Sequence, residues 1–265
     1  MIARSTLAFL LLLFGPMLTD HANAAEPTAT EARQILAPTG ALRVALYPGT
    51  PTSVVRATDL RGVGYELGKA LALRLGVAFK PLIFAKNADV LDAIKTGTAD
   101  VAFTNASAQR AADMDFTQPY LAIELGFLVS AKSSIGAASQ VDRPGVRVGV
   151  TANSSSDATL SHDLKQAQLV RAETVASGIQ MLSAGTLEVY ATNKATLFEM
   201  ADKLPGARIL DGNWGLERHA LAIPKGRRQA LAYARAFVTD AVASGLVKQA
   251  ADRAGLRGAV AAAPP

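Results

Sequence analysis

Apolar and polar positions along this chain follow two periods that take turns. Leu42, Val44 and Leu46 alternate with Arg43 and Ala45, which predicts a strand. After a loop rich in Pro, Gly and Thr over residues 48–64, Leu67, Ala70, Leu71 and Leu75 recur at helical spacing. Lys69 and Arg74 fall off that stripe, and Gly76 is placed to end the helix. A strand is predicted over residues 77–84. A second helix, marked by Val90, Leu91 and Ile94, stops at Gly97, and a short buried strand runs from Val101 to Phe103. Strands that alternate with helices indicate α/β units around a largely parallel sheet. The preceding residues 25–40 are small and polar and predict a loose arm, with room for one helical turn over Glu31 to Leu36.

The pattern then starts again. Residues 146–150 mirror 42–46, a loop and a helix over residues 157–164 follow, and a strand over 167–171 precedes a helix over 177–183. One pair of segments is close enough to quote. Gly97-Thr98-Ala99-Asp100-Val101-Ala102-Phe103-Thr104-Asn105 matches Gly185-Thr186-Leu187-Glu188-Val189-Tyr190-Ala191-Thr192-Asn193. Both read G-T-x-acid-V-x-x-T-N: a helix stop, then a strand that ends in Thr-Asn. Two similar lobes follow from this, with a cleft between them. Ligands of open α/β sheets sit beyond the carboxyl ends of the strands, where Asn105 and Asn193 both fall. Each either caps a turn or offers its amide to a ligand with mixed polar groups.

The N-terminus sets the compartment. Arg4 precedes an apolar stretch over residues 7–18, and Ala22-Asn23-Ala24 places small residues where a signal peptidase reads them. Residues 1–24 are therefore expected to be a cleavable signal peptide, and the mature chain to be exported to the periplasm. The chain has 265 residues, no cysteine and a net charge of +5. Zinc–thiolate sites, iron–sulfur clusters and cysteine nucleophiles are excluded. The charge forms no run of like residues, and aromatics are only 6 %, so no nucleic-acid partner is expected. No P-loop, G-x-G-x-x-G or G-x-S-x-G occurs. His162 and His219 lack metal-ligand spacing to any carboxylate and read as surface and hinge residues. No catalytic residue, metal or cofactor is expected.

Ser107-Ala108-Gln109-Arg110-Ala111-Ala112-Asp113-Met114-Asp115-Phe116-Thr117-Gln118-Pro119-Tyr120 resembles the T-x-x-R…x-D-F-[ST]-x-P-Y segment of extracellular solute-binding proteins of family 3, which serve polar amino acid ABC importers. Gly64-Tyr65-Glu66-Leu67, Val148-Gly149-Val150…Ser154-Ser155 and Glu217…Ala222-Ile223-Pro224-Lys225-Gly226 are similar to further segments of that family. The resemblance spans about residues 40 to 255. It implies an α/β fold of the two-lobed periplasmic binding protein type (type II), with a ligand cleft between lobes joined by two hinge strands. Lobe 1 is expected over 25–128 plus 218–265 and lobe 2 over 129–217, with the chain crossing near residues 127–131 and returning near 216–223. The function implied is transport: a monomer that binds a small carboxylated solute, such as an amino acid or a derivative, and delivers it to ABC permease subunits in the inner membrane.

The resemblance also assigns residues. Arg110 stands where the family binds the ligand's α-carboxylate, a task that a guanidinium fork suits. Ser154 and Ser155, at a helix start, stand where hydroxyls and helix amides hold the same carboxylate, with Asn153 in place of the family's glycine. Ser107 and Asn105 flank the arginine segment. Asn193 replaces the aspartate that pairs with the α-ammonium. The usual aromatic of the first loop is missing, which leaves Tyr47 or Tyr120 to cover the ligand. These departures point to a carboxylate without a free amino group, or to a modified amino acid. Two alternatives are a periplasmic cyclohexadienyl dehydratase-like enzyme, for which Glu217 is the only nearby acid, and an accessory protein of a periplasmic dehydrogenase.

Overall fold

The computed structural model describes residues 28–260, so the expected signal peptide lies outside the described residues. In chain order the strands are β1 (Ala41–Leu46), β2 (Ala78–Ile83), β3 (Val101–Asn105), β4 (Met114–Phe116), β5 (Leu121–Val129), β6 (Arg147–Thr151), β7 (Gln168–Ala172), β8 (Val189–Asn193), β9 (Arg208–Ile209), β10 (Gly215–Pro224) and β11 (Ala259–Val260). The helices are α1 (Ala29–Leu36), α2 (Val63–Leu75), α3 (Asn87–Lys95), α4 (Ser155–Asp163), α5 (Val175–Ser183), α6 (Lys194–Ala201), α7 (Leu231–Ala243) and α8 (Leu246–Arg253).

The glycine stops work as the sequence implies. Gly76 caps α2 in the left-handed conformation at φ +65°, and its N–H returns to the Ala72 carbonyl. The arm expectation needs correction. Thr28 and Glu31 form a capping box, and α1 buries Ala32 and Leu36 completely in the first core. Arg33 ties the helix to the Leu75 carbonyl at 2.8 Å.

The strand order is β2-β1-β3-β10-β5-β8-β6-β7. The central strands of each half are parallel, and each half ends on an antiparallel strand, β10 beside β3 and β5 beside β8. The two halves are thus the same arrangement, β2-β1-β3-β10 and β7-β6-β8-β5, joined where β5 pairs with β10. Both joining strands are long. β5 lies against β10 through Leu121–Leu125 and against β8 through Leu125–Val129. β10 continues beyond β5 to pair with β3 and then β4.

Alternate residues of these strands enter cores on both faces, as parallel sheets require. Leu42, Val44 and Leu46 of β1 pack with Leu67, Leu71 and Leu75 of α2 and with Tyr233 and Phe237 of α7, while Ala45 faces Val90 and Ile94 of α3. In the second half Phe127, Val129, Val148 and Val150 form one core, and Leu128, Leu182, Tyr190 and Met200 the other. Tyr190 is fully buried, and two glycines make room for it. A Cβ at Gly149 of β6 or Gly178 of α5 would come within 2.8 Å and 2.4 Å of its ring.

The quoted repeat has a physical basis. Asp100 accepts from the Arg43 amide at 3.0 Å, from Arg43 Nε at 2.9 Å and from Nη2 at 2.7 Å, and Nη2 also reaches the Gly97 carbonyl. Glu188 accepts from the amide and guanidinium of Arg147 in the same way, and Arg147 Nη2 reaches Gly185. In each half an arginine in the first half of the first strand clamps the acid and the glycine of the G-T-x-acid turn. The first clamp is deeper: Asp100 is 0 % exposed and takes a second arginine, Arg227, at 2.9 Å.

Removing an acid from a buried ion pair costs about 3–5 kcal/mol, whereas partly exposed pairs contribute about 0–1 kcal/mol. Asp100→Ala should therefore lower the urea midpoint far more than Glu188→Ala does. Equal shifts in parallel unfolding curves would show that burial does not separate the two clamps.

Candidate functional site

The cavity between the halves is built from strand ends and helix starts. β3 ends in Thr104 and Asn105. Asn105 Oδ1 accepts the Arg218 amide at 2.9 Å, which fixes the strand end against β10. The following turn brings Arg110 back over that end. Its Nη1 donates to Thr104 Oγ1 at 2.8 Å and to the Asn105 carbonyl at 3.1 Å. Arg110 takes part in no ion pair among the described residues. Burial pulls its guanidinium below the ordinary value, against the raising effect of the Glu217 carboxylate.

The second half contributes two helix starts. Asn153 takes φ +60°, the conformation a glycine would adopt freely, and asparagine tolerates it. Ser154 caps α4 and accepts the Asp157 amide at 3.1 Å. That leaves the earliest amides of α4 free, as helix starts do. Asn193 caps α6, accepting the Thr196 amide at 3.0 Å.

Both helix starts converge on one carboxylate of β10. Ser155 Oγ donates to Glu217 Oε1, and Asn193 Nδ2 donates to Oε2 at 2.9 Å. His219 Nε2 lies 3.3 Å from the same Oε2. Glu217 and His219, two residues apart on the strand, are 6 % and 4 % exposed. Burial alone would raise the Glu217 pKa. The hydrogen bond and charge of His219, the Ser155 hydroxyl and the field of Arg110 outweigh it and hold the carboxyl at about 2. His219 Nδ1 is buried without a partner.

Arg110, Asn105, Ser154, Ser155, Asn193 and Tyr47 all line this cavity, and Ser107 stands outside the lining. Ser107 instead accepts the Arg110 amide at 3.3 Å and shapes the turn. Burial and the charge of Glu217 push the Tyr47 hydroxyl up to about 12, so it stays protonated and can donate. Tyr120 packs edge-on against Phe103 in the first core, with ring centroids 5.9 Å apart. Two contacts link the halves across the cavity: the exposed pair of Lys86 Nζ with Glu173 at 2.8 Å, and the buried contact of Thr196 Oγ1 with Thr50 Oγ1 at 3.4 Å. The sequence marked His219 as a hinge residue and Glu217 as the acid of the enzyme alternative, and neither as part of the binding site. The available signal was a Glu-x-His pair on a strand face that continues as Leu221 and Ile223. No group of His, Cys, Asp or Glu able to hold a metal occurs among the described residues.

A two-lobed α/β frame with an arginine and a buried carboxylate in the cleft defines a solute-binding architecture. Residues 42–255 match the bacterial extracellular solute-binding proteins, family 3, and the chain belongs to that family. Solved structures of similar fold include the solute receptor for L-cysteine of Neisseria gonorrhoeae, at TM-score 0.74 and 21 % identity over 84 % of this chain and 92 % of that one. An amino acid ABC transporter substrate-binding protein of Streptococcus pneumoniae, bound to L-arginine, aligns at TM-score 0.73 and 20 % identity, covering 83 % and 97 %. An ancestral amino acid-binding protein, a precursor of cyclohexadienyl dehydratase, aligns at TM-score 0.71 and 22 % identity, covering 83 % and 97 %. No curated protein sequence matches the chain.

The Glu217 carboxyl sits below its unfolded value near 4.5, so its contribution is complete above pH 4.5 and is lost as pH falls toward 2. A shift of this size corresponds to about 3 kcal/mol. Glu217→Gln should flatten that part of the acid-denaturation profile. A wild-type profile and a variant profile that fall in parallel between pH 4.5 and 2 would show that Glu217 is not held ionised.

Proposed function

We propose that this protein is the periplasmic binding subunit of an ABC importer and carries a small carboxylated solute, an amino acid or a close derivative. The observation that carries the proposal is Arg110, a cleft guanidinium with no ion-pair partner, braced by Thr104 and the Asn105 carbonyl. An arginine so placed presents its remaining N–H edge to a planar carboxylate, and the free amides of α4 add donors from the facing half. Family membership and neighbours whose ligands are arginine and cysteine support the same chemistry. Lobe 1 would comprise 25–128 plus 218–265 and lobe 2 129–217. Closure around the ligand would present both lobes to the permease. Residues 1–24 would direct export and be removed.

The enzyme alternative needs a cleft carboxyl that is protonated near neutral pH. Glu217 is held ionised, which suits it to binding a positive group and not to donating a proton. The protein is therefore proposed to perform no chemistry on its ligand.

A thermal-shift screen of amino acids and 2-oxo acids selects a binder, because a ligand of the folded state raises the midpoint. Arg110→Ala should then weaken binding by about 2–5 kcal/mol, with Arg110→Lys between the two because it keeps the charge and loses the fork. Calorimetry that finds the affinity unchanged in a folded Arg110→Ala protein would remove the carboxylate anchor.

A further inference from the structure

Two charges of opposite sign face the inner cavity without forming an ion pair with each other. Arg110 uses Nη1 on Thr104 and the Asn105 carbonyl, and its Nε and Nη2 have no acceptor among the described residues. Glu217 accepts from Ser155 on Oε1, and from Asn193 and His219 on Oε2. A carboxylate offers about four acceptor positions, so one remains on Oε1. Of the other titratable groups of the lining, Lys86 and Glu173 pair with each other at 2.8 Å, and His219 Nε2 lies 3.3 Å from Glu217 itself. Asn193 has its amide engaged at both ends, on Thr196 and on Glu217, and carries no charge.

We propose that Glu217, delivered by the hinge strand β10, is the negative pole of the binding site, and that the ligand is zwitterionic, with its carboxylate on Arg110 and an ammonium on Glu217. The inference rests on the carboxylate role proposed for Arg110. It differs from the expectation drawn from position 193 alone, where a neutral amide implied a ligand without a free amino group. The charge absent from β8 is present two strands away, on β10 across β5, where Glu217 accepts from Asn193 itself. A separated guanidinium and carboxylate in a low-dielectric cleft complement a zwitterion better than a plain anion, which brings no positive group to Glu217. His219 tunes the pole. Its Nε2 lies 3.3 Å from Oε2, the other oxygen from the one with a vacant acceptor position.

The test uses the mature protein with the standard L-amino acids, their N-acetyl derivatives and the corresponding 2-oxo acids as probes, titrated by calorimetry. In wild type the best amino acid should bind about 10- to 100-fold more tightly than its N-acetyl and 2-oxo counterparts, the worth of a charge-assisted bond. Glu217→Gln should close that gap, chiefly by weakening the amino acid. Glu217→Asp, which keeps the charge, should retain a reduced preference, and this variant with the wild-type ratio decides the matter if Glu217→Gln does not fold. Binding of 2-oxo or N-acetyl acids as tight as that of amino acids, or a gap that survives in folded Glu217→Gln, would overturn the zwitterion assignment and leave the Arg110 anchor standing. Binding of none of the three sets would overturn both.

Discussion

The antiparallel pairing of β5 with β10 is the constraint on which the rest of the molecule depends. Leu125 lies opposite Gly215 on one side and Asn193 on the other, so one residue belongs to the crossing and to the second sheet together. Two consequences follow from that register. The ends of β3 and β8, which the repeat makes equivalent, are brought to face each other. The segment of β10 that spans the crossing also becomes the floor of the cleft. Glu217 and His219 therefore lie on the joining strand and line the cavity, and the contacts of Glu217 with Ser155 and Asn193 tie that strand to two helices of the second half.

Much of the fold was legible because its elements are marked by local signals. Glycines stop α2 and α3, the two-residue alternation of β1 and β6 is undisturbed, and the G-T-x-acid repeat exposes the doubled plan. The arginines that answer the acids, Arg43 and Arg147, did not stand out. They lie 57 and 41 residues from their partners, and a single arginine within a strand carries no signal of its own. Helix α1 hid for a different reason. Its amphipathic face is only two turns long, and its best marker is the reciprocal cap of Thr28 and Glu31.

The site divides along the same line. Arg110 was legible because its segment is contiguous and specific. Six of the residues singled out line one cavity, and the seventh, Ser107, shapes the turn that carries Arg110. The polar cluster around Glu217 was not legible, since its members come from positions up to 62 residues apart and meet only through the topology. Asn193 shows how a position can be identified while its partner is missed. Its amide caps a helix and also serves a carboxylate that no local pattern connects to it.

The discontinuous plan of the first half governs the order in which the molecule can be assembled. Its core is begun by residues near position 32 and completed by Tyr233, Phe237 and Ala250, so side chains made early have no full set of neighbours until the chain is nearly finished. The second half is a continuous insert between the two crossings and holds most of its core partners from its own stretch. Contacts of such long sequence separation form slowly. A growing chain of this design keeps its first half unsealed until the last helices arrive. That delay makes helices α7 and α8 the closing step of folding as well as part of the core.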